Sequence, residues 1–189
     1  SGIGKVRAAL GPTVHALRVS LRDVEPPVWR RLVVRSETPL PKFNRALERV
    51  MGWQGYHLHV FDVGGISFGE PDDDVDYVIN EKAATVKHLL PRVGSSLRWD
   101  YDFGDGWEHD VVAEAIESPA EGTRYPLCLD GARACPPEDC GGFPGYERLL
   151  EALSDPKDPE HKAMVAWAPD GFDSEVFDLV AANRRLRGR

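Results

Sequence analysis

The segment 98–112 constrains the fold more than any other stretch, because two runs of aromatic and β-branched residues flank a Gly-Asp-Gly sequence. Such a pattern predicts a β-hairpin. A two-residue loop would pair Asp102 with His109, whereas a three-residue loop would pair Phe103 with Trp107. We favour the three-residue loop, because cross-strand partners share a face and this register gathers the aromatic side chains. The residues expected on the buried face are Trp99, Tyr101, Phe103, Trp107 and Val111.

The opposite face of this hairpin is acidic in the favoured register. Asp100 would lie opposite Asp110, and Asp102 opposite Glu108. Directly opposed like charges are destabilising, so this face requires arginines, a bound cation or water around it. A solvated acidic face and a face neutralised by a cation or a basic partner both remain open.

The charge is distributed unevenly along the chain. Residues 1–50 carry ten Lys and Arg against four Asp and Glu, a net +6, whereas residues 51–183 carry nine against twenty-seven, a net −18. An acidic body disfavours an extensive nucleic-acid surface, so we expect a protein partner rather than a nucleic acid. We also expect the basic segment to neutralise the acidic hairpin face and to lower the pKa values of its carboxylates. The expected partners are Arg18, Arg22 and one of Arg30 or Arg31.

The hairpin sequence Tyr-Asp-Phe-Gly-Asp-x-Trp-x-His at 101–109 resembles the signature of the plasmid pRiA4b ORF-3-like family. The other matching motifs are Pro-Pro-Val-Trp-Arg-Arg at 26–31, Met-Gly-Trp at 51–53, His-Leu-His-Val-Phe at 57–61, Cys-Pro-Pro-Glu-Asp-Cys-Gly-Gly at 135–142 and Gly-Tyr at 145–146. The resemblance extends from about residue 14 to residue 183. It implies the fold of that family and a protein carried as a passenger by plasmids or insertion elements. Some members of the family carry a resolvase-like label. The resemblance implies no assigned activity.

The predicted elements follow the order ββαββαββ before a helical C-terminal region. Alternation of hairpins and helices indicates an α+β fold with a mixed β-sheet. The order resembles a β-grasp arrangement with a C-terminal helical satellite. We expect a single domain over residues 5–183. Its expected parts are a sheet core over about 13–117, a Pro/Gly/Cys-rich loop over 118–145 and helices over 146–183, followed by a basic tail over 184–189.

Two histidines alternate along the strand predicted over residues 56–63. His57 and His59 would lie on one face, and imidazoles at positions i and i+2 of a strand can bind one metal ion. Packed or hydrogen-bonded imidazoles are the commoner role of such a pair. A site of three cysteines and one histidine is a further possibility, although no two cysteines show the Cys-x-x-Cys spacing of a zinc ribbon. The candidate metal ligands are His57, His59, His109, Cys128, Cys135 and Cys140.

Two functional hypotheses follow from these residues. The first is a non-catalytic accessory or binding module, because the chain contains no nucleophile elbow, Walker loop, HExxH or deaminase motif. The second is a metal-dependent enzyme that hydrolyses phosphoesters with zinc or manganese. In the favoured register His109 and Asp102 lie on opposite faces and share no metal, whereas the two-residue loop would bring them together. The catalytic candidates are Asp102, Asp105, His109, Glu138 and Asp139.

The remaining features concern membrane spans, the cellular compartment and the acidic loop. The sequence contains no apolar run of membrane-spanning length and does not open with a signal peptide. Three cysteines are an odd number and favour a reducing cytoplasm. The acidic loop 70–76 lacks the glycine and terminal glutamate of an EF-hand, so we expect it to be solvated.

Overall fold

The structure, a computed structural model, describes residues 11–71 and 78–188 and places within them eight β-strands in one sheet and five α-helices. This is the mixed α+β architecture that the sequence predicts. The expected domain start at residue 5, most of the acidic loop 70–76 and the final residue 189 lie outside the described residues. Every helix within the described ranges is too short or too polar to cross a membrane.

Two antiparallel strands and a helix form the first part of the fold. β1 (Val14–Leu21) pairs with β2 (Trp29–Arg35), and alternate residues of β1 are buried, as the period of two predicts. α1 (Leu40–Met51) ends at Gly52, whose φ of 110° is favourable only for glycine. The buried side of α1 includes Leu40, Phe43, Leu47, Val50 and Met51.

The chain then leaves the sheet before it enters the next strand. The elements that follow are β3 (His59–Val63), β4 (Ile66–Gly69), β5 (Ile79–Asn80), a 3-10 turn (Glu81–Ala83) and α2 (Val86–Leu89). The strand expected from Tyr56 begins only at His59. Residues 53–58 are irregular and pass beside the hairpin loop, where the Asp102 amide donates to the Leu58 carbonyl at 2.9 Å.

The aromatic hairpin consists of β6 (Ser96–Tyr101) and β7 (Trp107–Glu117). Tyr101 pairs with Trp107, so five residues form the loop and both predicted registers are wrong. The offset from the favoured register is even, so the predicted facing of the strand residues is preserved: Trp99, Tyr101, Trp107 and Val111 are buried. Phe103 lies in the loop and is 47% exposed, contrary to expectation. The loop begins early because Asp102 Oδ1 accepts the amides of Gly104 and Asp105.

The acidic face of the hairpin is neutralised in part by arginines. Asp100 lies opposite Glu108, but Asp110 lies opposite Arg98, so the predicted opposition of Asp100 and Asp110 is wrong. Arg22 Nε donates to Asp110 Oδ1 at 3.0 Å, and its Nη1 donates to Glu108 Oε2 at 3.2 Å. Burial raises the pKa of Asp100, contrary to the expected lowering, although Arg98 Nε lies 2.9 Å from its Oδ1.

The C-terminal region adds one strand and three helices. β8 (Leu127–Ala132) lies within the segment expected to be irregular and pairs with β2 at the edge of the sheet. The helices are α3 (Gly142–Ser154), α4 (His161–Trp167) and α5 (Leu179–Leu186), the last of which extends into the expected basic tail. The strand order is β5-β4-β3-β6-β7-β1-β2-β8, antiparallel except for β4 with β5. This arrangement does not confirm the specific β-grasp-like order.

Candidate metal centre

Trp53 connects the residues before β3, the hairpin and the Pro/Gly/Cys segment. Its ring stacks on Tyr101 with a centroid separation of 4.7 Å and meets His109 edge-on at 5.2 Å. Its Nε1 donates to the carbonyl of Pro136 at 3.0 Å. Buried aromatic contacts of this kind fix both position and orientation. Trp53 therefore holds residues 136–139 beside the start of the hairpin loop.

One imidazole and three carboxylates converge at this junction. His57 Nε2 lies 3.0 Å from Asp139 Oδ1, 3.4 Å from Asp102 Oδ2 and 3.7 Å from Glu138 Oε2. Ligand atoms of His57, Asp102 and Asp139 all lie within 4.8 Å of one another, a combination found nowhere else among the described residues. Adjacent ligands bound about 2.1 Å from one cation lie roughly 3.0–3.5 Å apart, depending on the coordination geometry. The spacing from His57 to Asp102 and Asp139 therefore suits a shared cation.

Each carboxylate of this cluster has one oxygen fixed by donors and the other beside His57. Asp102 Oδ1 accepts two loop amides, at 3.1 and 3.2 Å. Asp139 Oδ2 accepts from the Tyr56 hydroxyl at 3.1 Å. Glu138 Oε1 accepts from the Gln54 amide at 2.7 Å and from the Tyr101 hydroxyl at 3.1 Å. Such secondary hydrogen bonds orient metal ligands in proteins.

The electrostatics of the cluster are strongly negative. Within the described residues, no Lys or Arg forms an ion pair with Asp102, Glu138 or Asp139. His57 Nε2 is buried and has no hydrogen-bond partner there, although carboxylate oxygens surround it. Burial and the adjacent Glu138 raise the pKa of Tyr101, so its hydroxyl remains a donor at neutral pH. The arrangement leaves a place for a positive charge between the imidazole and the carboxylates.

The other histidine candidates lie apart from this cluster. His59 Nε2 lies 2.7 Å from Glu81 Oε2, so the structure does not bring His57 and His59 to one metal. His109 lies on the aromatic face, with its Nδ1 3.1 Å from the Trp99 carbonyl oxygen. Burial lowers the pKa of His109 to about 3. Asp105 instead accepts from the Gly141 amide through Oδ2 at 3.2 Å and positions the loop.

The cysteines do not assemble into a metal site. Cys128, Cys135 and Cys140 are free thiols, and no candidate ligand group among the described residues contains a cysteine. Burial raises the pKa of Cys140 to about 12 and also raises the pKa values of the other two thiols. Without a metal ion these thiols are therefore protonated at neutral pH.

Sequence reasoning identified His57, Asp102, Glu138 and Asp139 individually but did not join them. It missed the three donors that orient Glu138 and Asp139, which are the Gln54 amide and the hydroxyls of Tyr56 and Tyr101. The proximity of Tyr56 to a histidine and of Glu138 to Asp139 was visible in the sequence. The partners lie more than thirty residues apart along the chain, so no local pattern indicates which of them meet.

Comparison with known proteins places the whole fold in one family. The model of the plasmid pRiA4b ORF-3-like protein family matches residues 13–181. The chain is 38% identical over 173 residues to the uncharacterized protein y4hQ of Sinorhizobium fredii (strain NBRC 101917 / NGR234), covering 90% of this chain and 87% of that protein. It also matches the crystal structure of a protein of unknown function, MM3350 from Methanosarcina mazei Go1. That match has a TM-score of 0.81 and 35% identity, and covers 89% of this chain and 97% of the other. The chain therefore belongs to the plasmid pRiA4b ORF-3-like family.

Proposed function

We propose that this protein is a metal-binding module in which His57, Asp102 and Asp139 hold one divalent cation and Glu138 lies beside it. The observation that carries the proposal is the shared orientation of the three carboxylates, each with one oxygen fixed and the other beside His57 Nε2. Without a cation, three carboxylates would lie close together with no Lys or Arg paired to them among the described residues, and like charges at short range repel one another.

The ligand set favours zinc or manganese. One imidazole nitrogen with carboxylate oxygens suits both ions, whereas sites without nitrogen are typical of calcium and magnesium. Asp139 is exposed while Asp102 is only 6% exposed, so solvent reaches the site from one side. An ion here would retain coordination positions for water or for a ligand, as in open rather than structural sites.

A second candidate function is metal-dependent hydrolysis of a phosphoester, and Glu138 favours it. Its Oε2 lies 3.7 Å from His57 Nε2, close to the cluster but farther than either aspartate. A divalent ion would supply Lewis-acid activation of water and of a phosphoryl oxygen. Glu138 Oε2 is then placed to accept the proton of the attacking water, with Oε1 held by Gln54 and Tyr101.

Calorimetric titration of EDTA-treated, dialysed protein with Zn²⁺ and with Mn²⁺ tests metal binding. We expect one ion per chain. Asp139→Asn should weaken the affinity at least about tenfold, because it removes a charged ligand. Asp170→Asn removes another exposed carboxylate, outside the cluster, and should leave the affinity unchanged. Absence of binding to the unmodified chain, or equal affinities for the two variants, would contradict the proposal.

Hydrolysis is tested separately with bis-p-nitrophenyl phosphate in the presence of the ion that binds. We expect Glu138→Gln to abolish turnover while one ion still binds, because the amide cannot accept the proton. Turnover that survives Glu138→Gln would exclude this role. Metal binding without any turnover in the unmodified chain would leave a binding module and remove the second candidate.

We also propose that residues 5–183 fold as one domain in a reducing cytoplasm. The reducing compartment is supported by the three cysteines, which are all free thiols. Thiol titration of protein purified without reductant should give three reactive groups per denatured chain.

A further inference from the structure

A second concave site lies behind the metal cluster, between the end of α1 and the region around α5. The cleft has a volume of about 550 Å³ and is bordered by Trp53, Phe172 and Phe177. This volume is within the range of roughly 300–1,000 Å³ that small-molecule sites occupy. Two guanidinium groups, those of Arg30 and Arg185, also line it. An aromatic cleft lined by two guanidinium groups suggests a ligand with an apolar body and a negatively charged group.

Arg30 is only 1% exposed, and its charge has no acidic partner among the described residues. Its Nε donates to the Val50 carbonyl at 3.2 Å, and its Nη1 donates to the Trp29 and Ala132 carbonyls at 2.8 and 2.9 Å. Its guanidinium lies 4.1 Å from the centre of the Phe177 ring. These contacts leave only Nη2 without a hydrogen bond among the described residues, so this nitrogen is free to donate to a ligand.

Arg185 approaches the same end of α1. Its Nε donates to the Arg49 carbonyl at 2.9 Å, one residue before the carbonyl that Arg30 contacts. Neither of its terminal nitrogens has a hydrogen bond or an ion pair among the described residues. A Cβ atom on Gly52 would lie 3.7 Å from Arg185 Nη2, so the glycine keeps this side of the guanidinium uncovered.

The surroundings do not neutralise the two arginines. The C-terminal dipole of α1 supplies about half a negative charge against two positive charges. Burial raises the pKa values of Cys128 and Cys135, so these neighbouring thiols are neutral at neutral pH. The cleft also contains the carboxylates of Asp178 and Glu138. Asp178 caps α5 by accepting the Ala181 amide at 2.8 Å and attracts Arg185 without forming an ion pair with it, and Glu138 faces His57.

We propose that this cleft binds a small organic anion, whose carboxylate or phosphate group pairs with the free nitrogens of Arg30 and Arg185. The two terminal nitrogens of Arg185 form a planar fork that matches either oxyanion in a bidentate manner, and Arg30 would add a donor from Nη2. The apolar body of the ligand would lie against Trp53, Phe172 and Phe177. The site is distinct from the metal cluster and requires no metal ion, although Glu138 borders both.

Calorimetric titration of EDTA-treated protein with phenyl phosphate and with benzoate tests this site. We expect saturable binding of at least one of these anions at one site per chain. Benzyl alcohol, which has the same aromatic body without the charge, should bind at least about tenfold more weakly. Inorganic phosphate should also bind more weakly, because it lacks the apolar body. The better anion identifies whether the site prefers phosphate or carboxylate.

Arg185→Gln should weaken the binding of that anion about tenfold or more, because it removes a charged pair. Arg184→Gln, the neighbouring and exposed position of the same helix, is the matched control and should have no effect. Arg185→Lys retains the charge without the fork and provides a second variant if Arg185→Gln does not fold. Failure of both anions to bind at millimolar concentration, or equal effects at positions 184 and 185, would overturn the proposal. A result showing that the chain binds no metal ion would contradict the proposed metal site but not the proposed anion site.

Discussion

The backbone oxygen of Asp105 lies 2.5 Å from the point at which a Cβ atom on Gly142 would be placed. The turn that begins α3 is therefore packed directly on the hairpin loop 102–106, and Gly141 donates its amide to Asp105 Oδ2. We expect Gly142→Ala to displace this loop, because the obstructing atom is backbone. Displacement of Asp102 from His57 should weaken zinc binding at least about tenfold, measured by calorimetry.

Gly171→Ala is the matched control for this substitution. Gly171 also has a positive φ, of 70°, but a Cβ atom added there would have no heavy atom within 4 Å beyond its chain neighbours. Gly171→Ala should lose about 1–2 kcal/mol of unfolding free energy from backbone strain, and Gly142→Ala should lose more because its Cβ atom also meets backbone. Only Gly142→Ala should lose affinity for zinc. Equal zinc affinities for the two variants would show that the contact does not position the loop.

The buried position of Trp107 gives a direct stability prediction. Trp107 is 3% exposed and Phe103, four residues earlier in the same hairpin, is 47% exposed. Trp107→Ala should lower the unfolding free energy by about 3–5 kcal/mol, because it creates a large cavity. Phe103→Ala should cost less than about 1 kcal/mol. Urea denaturation measures both, and a midpoint for Trp107→Ala equal to that of the unmodified chain would refute this assignment of the core.

Arg22 and Arg18 should make small contributions of different physical origin. Arg22 pairs with Glu108 and Asp110, whereas Arg18, expected to do the same, lies 4.1 Å above the Trp29 ring. The Arg22 pairs are more than one-third exposed, so Arg22→Ala should cost at most about 1 kcal/mol. That cost should decrease in about 1 M NaCl, because salt screens exposed charges.

Arg18→Ala provides the comparison for Arg22→Ala. Its contact with Trp29 is worth about 0.5–1 kcal/mol and includes apolar packing, so its loss should depend less on salt. Urea denaturation at low and high ionic strength measures both differences. If the cost of Arg22→Ala does not change with salt, its ion pairs do not stabilise the fold.

His109 should make the stability dependent on pH below neutrality. Its pKa is about 3 in the folded protein, compared with an ordinary value of 6.5, because burial disfavours the charged imidazole. Between these values the unfolded chain binds the additional proton, so this group lowers the stability as the pH falls from about 6.5 towards 3. The slope attributable to one such histidine approaches about 1.4 kcal/mol per pH unit.

His109→Phe should remove this part of the pH dependence. The stability difference between the variant and the unmodified chain should be constant above about pH 7 and should shift in favour of the variant as the pH is lowered. His88→Gln, which removes an exposed histidine, should retain the original slope. Parallel curves for His109→Phe and the unmodified chain down to about pH 4 would be inconsistent with a neutral, buried His109.

The local pattern of the sequence determined six of the eight strands, the first helix and the facing of the hairpin side chains, but not β5 or β8. Side chains alternate with a period of two, so any even change in register preserves which residues are buried. Trp99, Tyr101 and Trp107 were therefore assigned correctly although the predicted register was wrong. Phe103 was assigned incorrectly because the hydrogen bonds of Asp102 begin the loop before it.

The composition of the candidate metal centre was decided only by the tertiary structure. His57, Asp102 and the pair Glu138 and Asp139 come from three segments, and Trp53 joins those segments through packing and one hydrogen bond. Propensity and periodicity describe neighbours along a chain and carry no information about which distant side chains meet. The sequence supplied the ligands by residue type, and long-range packing of the irregular segments selected the ones that converge.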